Sequence, residues 1–295
     1  MLASIRLFLL ALIAVTGAAS ASVSGAAAQS GQSPCSTAET CLKQGESAVK
    51  AKDLPTALKA FWEGCKLTSG MACMHAGSLI GQGHFPKLTD QVAVTFFNEA
   101  CKLKVGLGCF NVGLSAETGK GVEVNDRMAV TYYARACEQR IPAGCNHLGR
   151  MLADGRGVDE ADPARASELY DYACRAGDPN GCFNLGVQHA LGEGVRRNKA
   201  KAGELYDRSC GMGNMNACSN IGTMVLVGDG VAVDLERAVD LFQRACQARN
   251  GPACANLSAL YKAGRGVPQD LEKSENLRRY ACQIGYTKAC PAAKG

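Results

Sequence analysis

Residues 182–210 read CFNLGVQHALGEGVRRNKAKAGELYDRSC, and this stretch contains the pattern that decides the fold. The Gly-Glu-Gly-Val element at 192–195 divides it into two segments. Glycine takes a positive φ readily, which suits a helix end, and the valine supplies an apolar anchor for the loop. In the second segment Ala202 and Tyr206 lie eight and four residues before Cys210, which is the spacing of a buried helix face. The stretch therefore predicts two helices joined by a tight turn.

The cysteines show that this unit repeats along the chain. Within each of seven pairs the two cysteines are eight residues apart, and successive pairs follow at intervals of 36 residues, with one interval of 37. A fixed period of this length is typical of a solenoid, in which each unit buries its apolar face only by stacking on its neighbours. The sequence predicts one elongated domain over residues 35–290 and a short tail at 291–295, rather than two globular domains.

The first 28 residues have a different composition from the rest. Arg6 precedes an apolar run from Leu7 to Val15, and small residues follow. This is the pattern of a secretory signal peptide, here with cleavage after Ala21 or Ala28. The apolar run is too short for a membrane-spanning helix, which needs about 20 residues. We therefore expect an exported protein, periplasmic or secreted, with no membrane span after cleavage.

The sixteen cysteines are predicted to form disulfides, which persist outside the reducing cytosol. Each eight-residue spacing joins the end of one unit's second helix to the start of the next unit's first helix, and an antiparallel turn of that length brings the two Cα atoms within bonding range. Metal sites instead use cysteines two to four residues apart with further ligands nearby, and the sequence has none, so we predict no metal and no cofactor. The predicted pairs are Cys35–Cys41, Cys65–Cys73, Cys101–Cys109, Cys137–Cys145, Cys174–Cys182, Cys210–Cys218, Cys246–Cys254 and Cys282–Cys290.

Together these elements resemble the cysteine-rich Sel1-like repeat family of secreted bacterial proteins, over residues 35–290. The resemblance implies an all-α fold: a right-handed α-solenoid of stacked antiparallel helix pairs, similar to tetratricopeptide repeats, with about seven repeats of 36 residues. The sequence departs from the family pattern at Asp53-Leu54-Pro55, in the turn after Gly83 and at Arg278. These departures lie in the units towards the two ends, where capping repeats are expected to be atypical.

Catalysis enters only through this resemblance, because some members of the family are described as penicillin-binding proteins with weak β-lactamase activity. Ser47-Ala48-Val49-Lys50 has the S-x-x-K spacing that places a serine one helical turn from a base. The S-D-N and K-T-G elements of serine β-lactamases are absent. Ser47 and Lys50 are therefore the candidate catalytic residues of an alternative function, with β-lactams or peptidoglycan fragments as ligands.

The four histidines are scattered along the sequence and do not form the ligand cluster of a metalloenzyme. His75 and His147 lie two residues after the second cysteine of their pairs, where other units carry asparagine. We expect both to hydrogen-bond the backbone between helices.

The main functional prediction is a protein-binding or peptide-binding groove. If the units stack as in tetratricopeptide repeats, the first helices line the concave side, and the residues one, five and nine after each second cysteine face it. Apolar residues exposed there suit a partner's extended peptide or helix, although they also suit the packing between repeats. The net charge of +5 comes without a block of Lys or Arg, so we expect no nucleic-acid partner. The predicted binding residues are Phe110, Leu114, Arg150, Asp154, Phe183, Val187, Leu191 and Thr223.

Overall fold

The computed structural model describes residues 35–291, so the predicted signal peptide and residues 292–295 of the predicted tail lie outside the described part. The described residues form fourteen α-helices and a short 3-10 helix at Thr287–Ala289, with no strand among them. None of these helices is long and apolar enough to cross a bilayer. The helices are α1 (Ala38–Lys50), α2 (Leu54–Lys66), α3 (Gly70–Gly81), α4 (Asp90–Lys102), α5 (Gly106–Thr118), α6 (Asp126–Glu138), α7 (Pro142–Asp154), α8 (Pro163–Arg175), α9 (Pro179–Leu191), α10 (Lys199–Gly211), α11 (Met215–Val227), α12 (Leu235–Gln247), α13 (Gly251–Ala263) and α14 (Leu271–Gln283).

Consecutive helices pack against each other along the whole described chain, which gives seven two-helix units, from α1–α2 to α13–α14. Within a unit the first helix packs most extensively on the second, and the second helix packs on the first helix of the next unit. The prediction of an all-α solenoid with about seven repeats is confirmed.

Recurring residues fix where the helices begin and end. In the fifth unit, α9 ends at Gly192, which has the left-handed φ of 83° that favours glycine. The next helix, α10, begins after Asn198, whose side chain accepts a hydrogen bond from the Lys201 amide. Units three to seven share this arrangement, with the helix-ending glycines Gly119, Gly155, Gly192, Gly228 and Gly264, and the N-cap residues Asn125, Asp162, Asn198, Asp234 and Asp270.

The second glycine of each turn packs against the preceding unit. Gly194 also has a positive φ, and a Cβ placed on it would lie 2.1 Å from the carbonyl oxygen of Pro163, the first residue of α8. Any larger residue would push the two units apart. The Gly-x-Gly pattern is therefore required twice, once by backbone conformation and once by contact between units.

Aromatic rings fill the space between the two helices of a unit. The ring of Tyr206 in α10 covers Gly186 in α9, where a Cβ would lie only 2.8 Å from the Tyr206 Cε1 atom. This contact explains why a glycine four residues after one cysteine accompanies an aromatic residue four residues before the next. The same pairing occurs at Gly45–Phe61, Gly77–Phe97, Gly113–Tyr133, Gly149–Tyr170 and Gly222–Phe242.

The last unit closes the stack with polar groups in place of this pairing. Ser258 replaces the glycine, and its hydroxyl donates a hydrogen bond to the carbonyl oxygen of Ser274 at 2.7 Å. Arg278 replaces the aromatic residue, pairs with Glu275 and donates to the carbonyl oxygen of Ala289. The C-terminal end is thus capped by the departures from the repeat pattern.

Disulfides connect each unit to the next. Six of them join the end of a second helix to the beginning of the following first helix. A seventh joins the end of α14 to the residue after the 3-10 helix, and the eighth lies within the first unit. No cysteine among the described residues is free. The bonded pairs are Cys35–Cys41, Cys65–Cys73, Cys101–Cys109, Cys137–Cys145, Cys174–Cys182, Cys210–Cys218, Cys246–Cys254 and Cys282–Cys290.

Ion pairs add a second kind of contact between units. The residue between the two glycines of a turn meets the first residue of the preceding unit's second helix, and at three of these junctions the two residues have opposite charges. The sign is reversed at the junction of units five and six, where the turn carries the acid. The pairs are Lys120–Asp90, Arg156–Asp126 and Asp229–Lys199.

The first helices also contact one another directly, α1 with α3 and α7 with α9. Their solvent-facing sides therefore form a continuous surface across the units. We call this surface, made by the exposed sides of α1, α3, α5, α7, α9, α11 and α13 beyond their first turns, the first-helix face.

Candidate binding surface

All eight predicted binding residues lie on first helices, in α5, α7, α9 and α11. They differ in how much surface they leave open to a partner. Phe110, Leu114, Arg150, Phe183 and Val187 are half-buried, whereas Asp154, Leu191 and Thr223 are exposed.

The half-buried apolar residues take part in packing between helices. The ring of Phe183 lies 5.8 Å from that of Tyr206, measured between centroids, and Val187 packs against the same core. The ring of Phe110 lies 5.8 Å from Tyr133 and 5.3 Å from His147. These residues therefore contribute to the core and present only part of their surface on the first-helix face.

The most exposed apolar side chains of the first-helix face lie on units five and six. Leu191 is 59% exposed, and Val227, the equivalent residue of the next unit, is 62% exposed. Val227 lies nine residues after the second cysteine of its pair, as Leu191 does, but it is not among the predicted binding residues. We call these two equivalent side chains the apolar step, and Leu191 lies one helical turn after the half-buried Val187.

A polar cluster occupies the first-helix face of units three and four. Its centre is Glu117 in α5, whose side chain is only 8% exposed. Its Oε1 atom accepts hydrogen bonds from Arg150 Nη2 at 2.6 Å and from Arg156 Nη1 at 3.0 Å. Its Oε2 atom accepts one from the Tyr133 hydroxyl at 2.7 Å and lies 3.4 Å from His147 Nδ1. We call these five residues the Glu117 cluster.

The cluster keeps Glu117 ionised. Burial acts to raise the pKa of Glu117, but the Tyr133 hydroxyl and the two guanidinium groups oppose it and hold that pKa below its ordinary value. Burial, followed by the charge of Arg150, lowers the pKa of His147. At neutral pH the cluster is therefore a carboxylate between two cations with a neutral imidazole beside it.

An open pocket of about 510 Å³ adjoins the cluster on units two and three. Its walls include the small residues Ser78 and Gly81 of α3, the half-buried Leu114 and an edge of the buried Phe97. Lys120 closes one side and donates a hydrogen bond to the Gly81 carbonyl oxygen at 2.8 Å. The pocket is large enough for an apolar side chain of a partner.

Comparison with known families identifies the repeat. The model of the Sel1 repeat matches five times, at residues 106–140, 142–178, 179–214, 216–250 and 251–286. The chain belongs to the Sel1 repeat family. It is a Sel1-repeat scaffold whose units are joined by disulfides, as the resemblance implied.

Solved structures share this Sel1 architecture. A protective antigen of uropathogenic Escherichia coli that displays an SLR fold superposes with a TM-score of 0.77 at 24% identity, covering 85% of this chain. The match spans 55% of that antigen's chain. A Sel1 repeat protein from Oxalobacter formigenes gives a TM-score of 0.72 at 24% identity, covering 82% of this chain and 96% of the other. These likenesses show the fold alone. Curated proteins give no significant match.

The candidate catalytic residues lie in the first Sel1 unit. Ser47 and Lys50 are both exposed on α1, away from the Glu117 cluster in sequence and structure. Among residues 35–291, no three His, Cys, Asp or Glu side chains are grouped as metal ligands. β-Lactam hydrolysis remains an untested prediction.

The expectation for the two histidines was wrong. His75 stacks on the ring of Phe61, with the centroids 5.0 Å apart, and His147 contacts the side chains of Glu117 and Arg150 rather than the backbone. Sequence reasoning missed Glu117 and Arg156 because their contacts bridge residues 16 to 39 positions apart.

Proposed function

We propose that this chain is an exported scaffold that binds a protein or peptide partner through its first-helix face. The exposure of Leu191 and Val227 on successive units carries the proposal. Contiguous apolar surface on a folded protein typically marks an interaction site. The repeat supplies the same position in each unit, so that a partner lying along the face meets both residues.

The shape of the stack supports an elongated partner. Stacked helix pairs generally curve into superhelices, which form extended concave binding surfaces. We propose that the first-helix face is concave and that it accepts an extended peptide or a helix. The pocket beside Leu114 and the half-exposed Arg150 of the Glu117 cluster would then contact the same partner as the apolar step.

Export is the second part of the proposal. Eight disulfides suit an oxidising compartment, the periplasm or the cell exterior, and are rare in a reducing cytosol. The intact mass of the protein recovered from cells tests this directly. We expect the chain to begin after Ala21 or Ala28 and to contain no free thiol, whereas a full-length chain with reduced cysteines would exclude export.

The binding proposal is tested with a matched pair of double variants. Leu191→Ala/Val227→Ala removes exposed apolar surface from the first-helix face. Leu271→Ala/Leu67→Ala removes comparable surface elsewhere, because those side chains are 62% and 41% exposed. Both double variants should change the free energy of unfolding by no more than about 0.5 kcal/mol per site.

The partner is recovered by cross-linking in cells that export the protein, and its affinity for each variant is measured by calorimetry. We expect the first double variant to weaken binding by more than about 1 kcal/mol and the second to bind as the wild type does. Equal affinities for the two double variants would refute the proposed site.

A further inference from the structure

A second apolar surface lies on the edge of the solenoid where the disulfide-linked turns join one unit to the next. Four side chains on the first two of these turns are between 37% and 44% exposed. They occupy two equivalent positions, two and six residues after the first cysteine of a pair. We call them the hairpin strip: Leu67, Met71, Leu103 and Leu107.

The strip is continuous because neighbouring turns touch. A Cβ placed on Gly70 would lie 2.6 Å from Val105 Cγ2 and 3.0 Å from Leu103 Cβ. Glycine at this position thus lets the turn between units one and two lie against the turn between units two and three. The four apolar side chains then form one ridge rather than isolated residues.

Cations lie at the tips of the turns beside this ridge. Lys104 and Arg140 each lie three residues after the first cysteine of a pair and have the left-handed backbone conformation, with φ of 62° and 61°. Both are exposed. In the described part of the chain neither forms an ion pair.

The carboxylates of this edge lie further from the tips. Glu63 and Glu99 lie within the helices and pair with Lys66 and Lys102. With Glu138 included, the edge carries four cations and three carboxylates, and the exposed Lys104 directly follows Leu103 of the ridge.

The equivalent edge at the other end of the molecule is polar. There the side chain of Asn214 donates to Asn180 at 3.0 Å, and that of Asn250 donates to Asn216 at 2.8 Å. Asn180 and Asn216 occupy the position of Met71 and Leu107. Since both edges have the same backbone, stability of the turn does not require leucine or methionine there.

We propose that the hairpin strip docks the protein on a membrane surface that contains anionic phospholipids. The ridge projects from the ends of helical hairpins instead of lining a groove, so it needs a partner into which apolar side chains can insert without a matching shape. An acyl-chain boundary accepts such side chains, and anionic headgroups attract the adjacent Lys104 and Arg140. The contact is peripheral and reversible.

The test measures the sedimentation of the protein with vesicles of phosphatidylcholine, with and without phosphatidylglycerol. All variants carry the same N-terminus as the wild type, so any contribution of that segment cancels. We expect binding to require phosphatidylglycerol and to weaken as salt is added. Leu103→Gln/Leu107→Gln should lower the partition coefficient at least tenfold, and Lys104→Gln should lower it about fivefold.

Arg249 provides the matched control, because it occupies the position of Lys104 in a later turn with the same backbone conformation, φ 65°. Arg249→Gln should bind vesicles as the wild type does, and so should Leu191→Ala/Val227→Ala. The proposal is wrong if the wild type binds vesicles equally well with and without phosphatidylglycerol, or if Arg249→Gln loses as much vesicle binding as Lys104→Gln. It is equally wrong if the strip variants lose a protein partner while retaining vesicle binding.

Discussion

Replacing Glu117 by glutamine tests whether the Glu117 cluster holds units three and four together. The amide keeps the size of the side chain and one acceptor oxygen, so the change removes the charge without leaving a cavity. Arg150 and Arg156 then lose their shared carboxylate, although Arg156 keeps its ion pair with Asp126 at 2.7 Å. The guanidinium group of Arg150 remains 3.2 Å from Nδ1 of the neutral His147 ring.

The size of the effect follows from the exposure of the partners. Breaking a fully buried ion pair costs about 3–5 kcal/mol, and a hydrogen bond to a charged group contributes about 1.5–3 kcal/mol. Glu117 is buried, but Arg150 and Arg156 keep 40% and 37% of their side-chain surface exposed, so water replaces part of the lost interaction. We therefore expect a loss of about 2 kcal/mol, felt mainly in these two units.

Hydrogen exchange of the amides in α5 and α7 is the appropriate assay, because a repeat stack does not unfold as a single two-state unit. Glu168→Gln, at an exposed position of α8, is the control and should change exchange by less than about 0.5 kcal/mol. Since the folded pKa of Glu117 lies below its unfolded value of about 4.3, its stabilisation is present above that pH and is lost as the pH falls through the folded pKa. A change below 0.5 kcal/mol at pH 7 would refute the role given to the cluster.

Three further substitutions test other contacts. Asp229→Lys places a like charge opposite Lys199 and should lower the free energy of unfolding by about 0.5–1 kcal/mol. The exchanged pair Lys199→Asp/Asp229→Lys should restore that stability, and additive losses of the two substitutions in unfolding experiments would contradict the ion pair. The folded pKa of His147 lies below its unfolded value of about 6.5, so the stability that the neutral ring contributes is present above pH 6.5 and is lost as the pH falls through the folded pKa. In thermal melts, His147→Asn should abolish this contribution to the fall in melting temperature at low pH. Gly194→Ala should lower stability by more than Gly177→Ala, because both have positive φ but only Gly194 meets the neighbouring unit, and equal melting temperatures would exclude that contact.

The fold could be predicted because each structural requirement is written several times. The cysteines, the turn glycines and the pairing of Gly186 with Tyr206 recur in most units. A residue that the structure requires at one position of the unit therefore recurs in the sequence at the repeat interval. The disulfides follow from the same register. The N-cap residues of the second helices recur just as regularly, so the starts of these helices are predictable from the sequence in the same way.

The Glu117 cluster escaped prediction because it occurs once. Its position, eight residues after the second cysteine, holds Ala153, Ala190, Leu226 and Lys262 in later units, and a single acid at this position is the only signal in the sequence. Which cations meet it depends on the stacking of two units, which no spacing within one unit reveals. The partial burial of Phe183 was hidden for the same reason, since Tyr206 covers one of its sides.

A site-specific cross-linking scan around the solenoid tests the central claim most directly. A photoreactive amino acid is placed at Leu191 and Val227 on the first-helix face, and at Leu67 and Leu271 outside it, in protein that cells export. If the first-helix face is the binding surface, the first two positions cross-link to one common partner and the other two do not. Cross-links to the same partner from all four positions, or from Leu67 and Leu271 alone, would contradict the account.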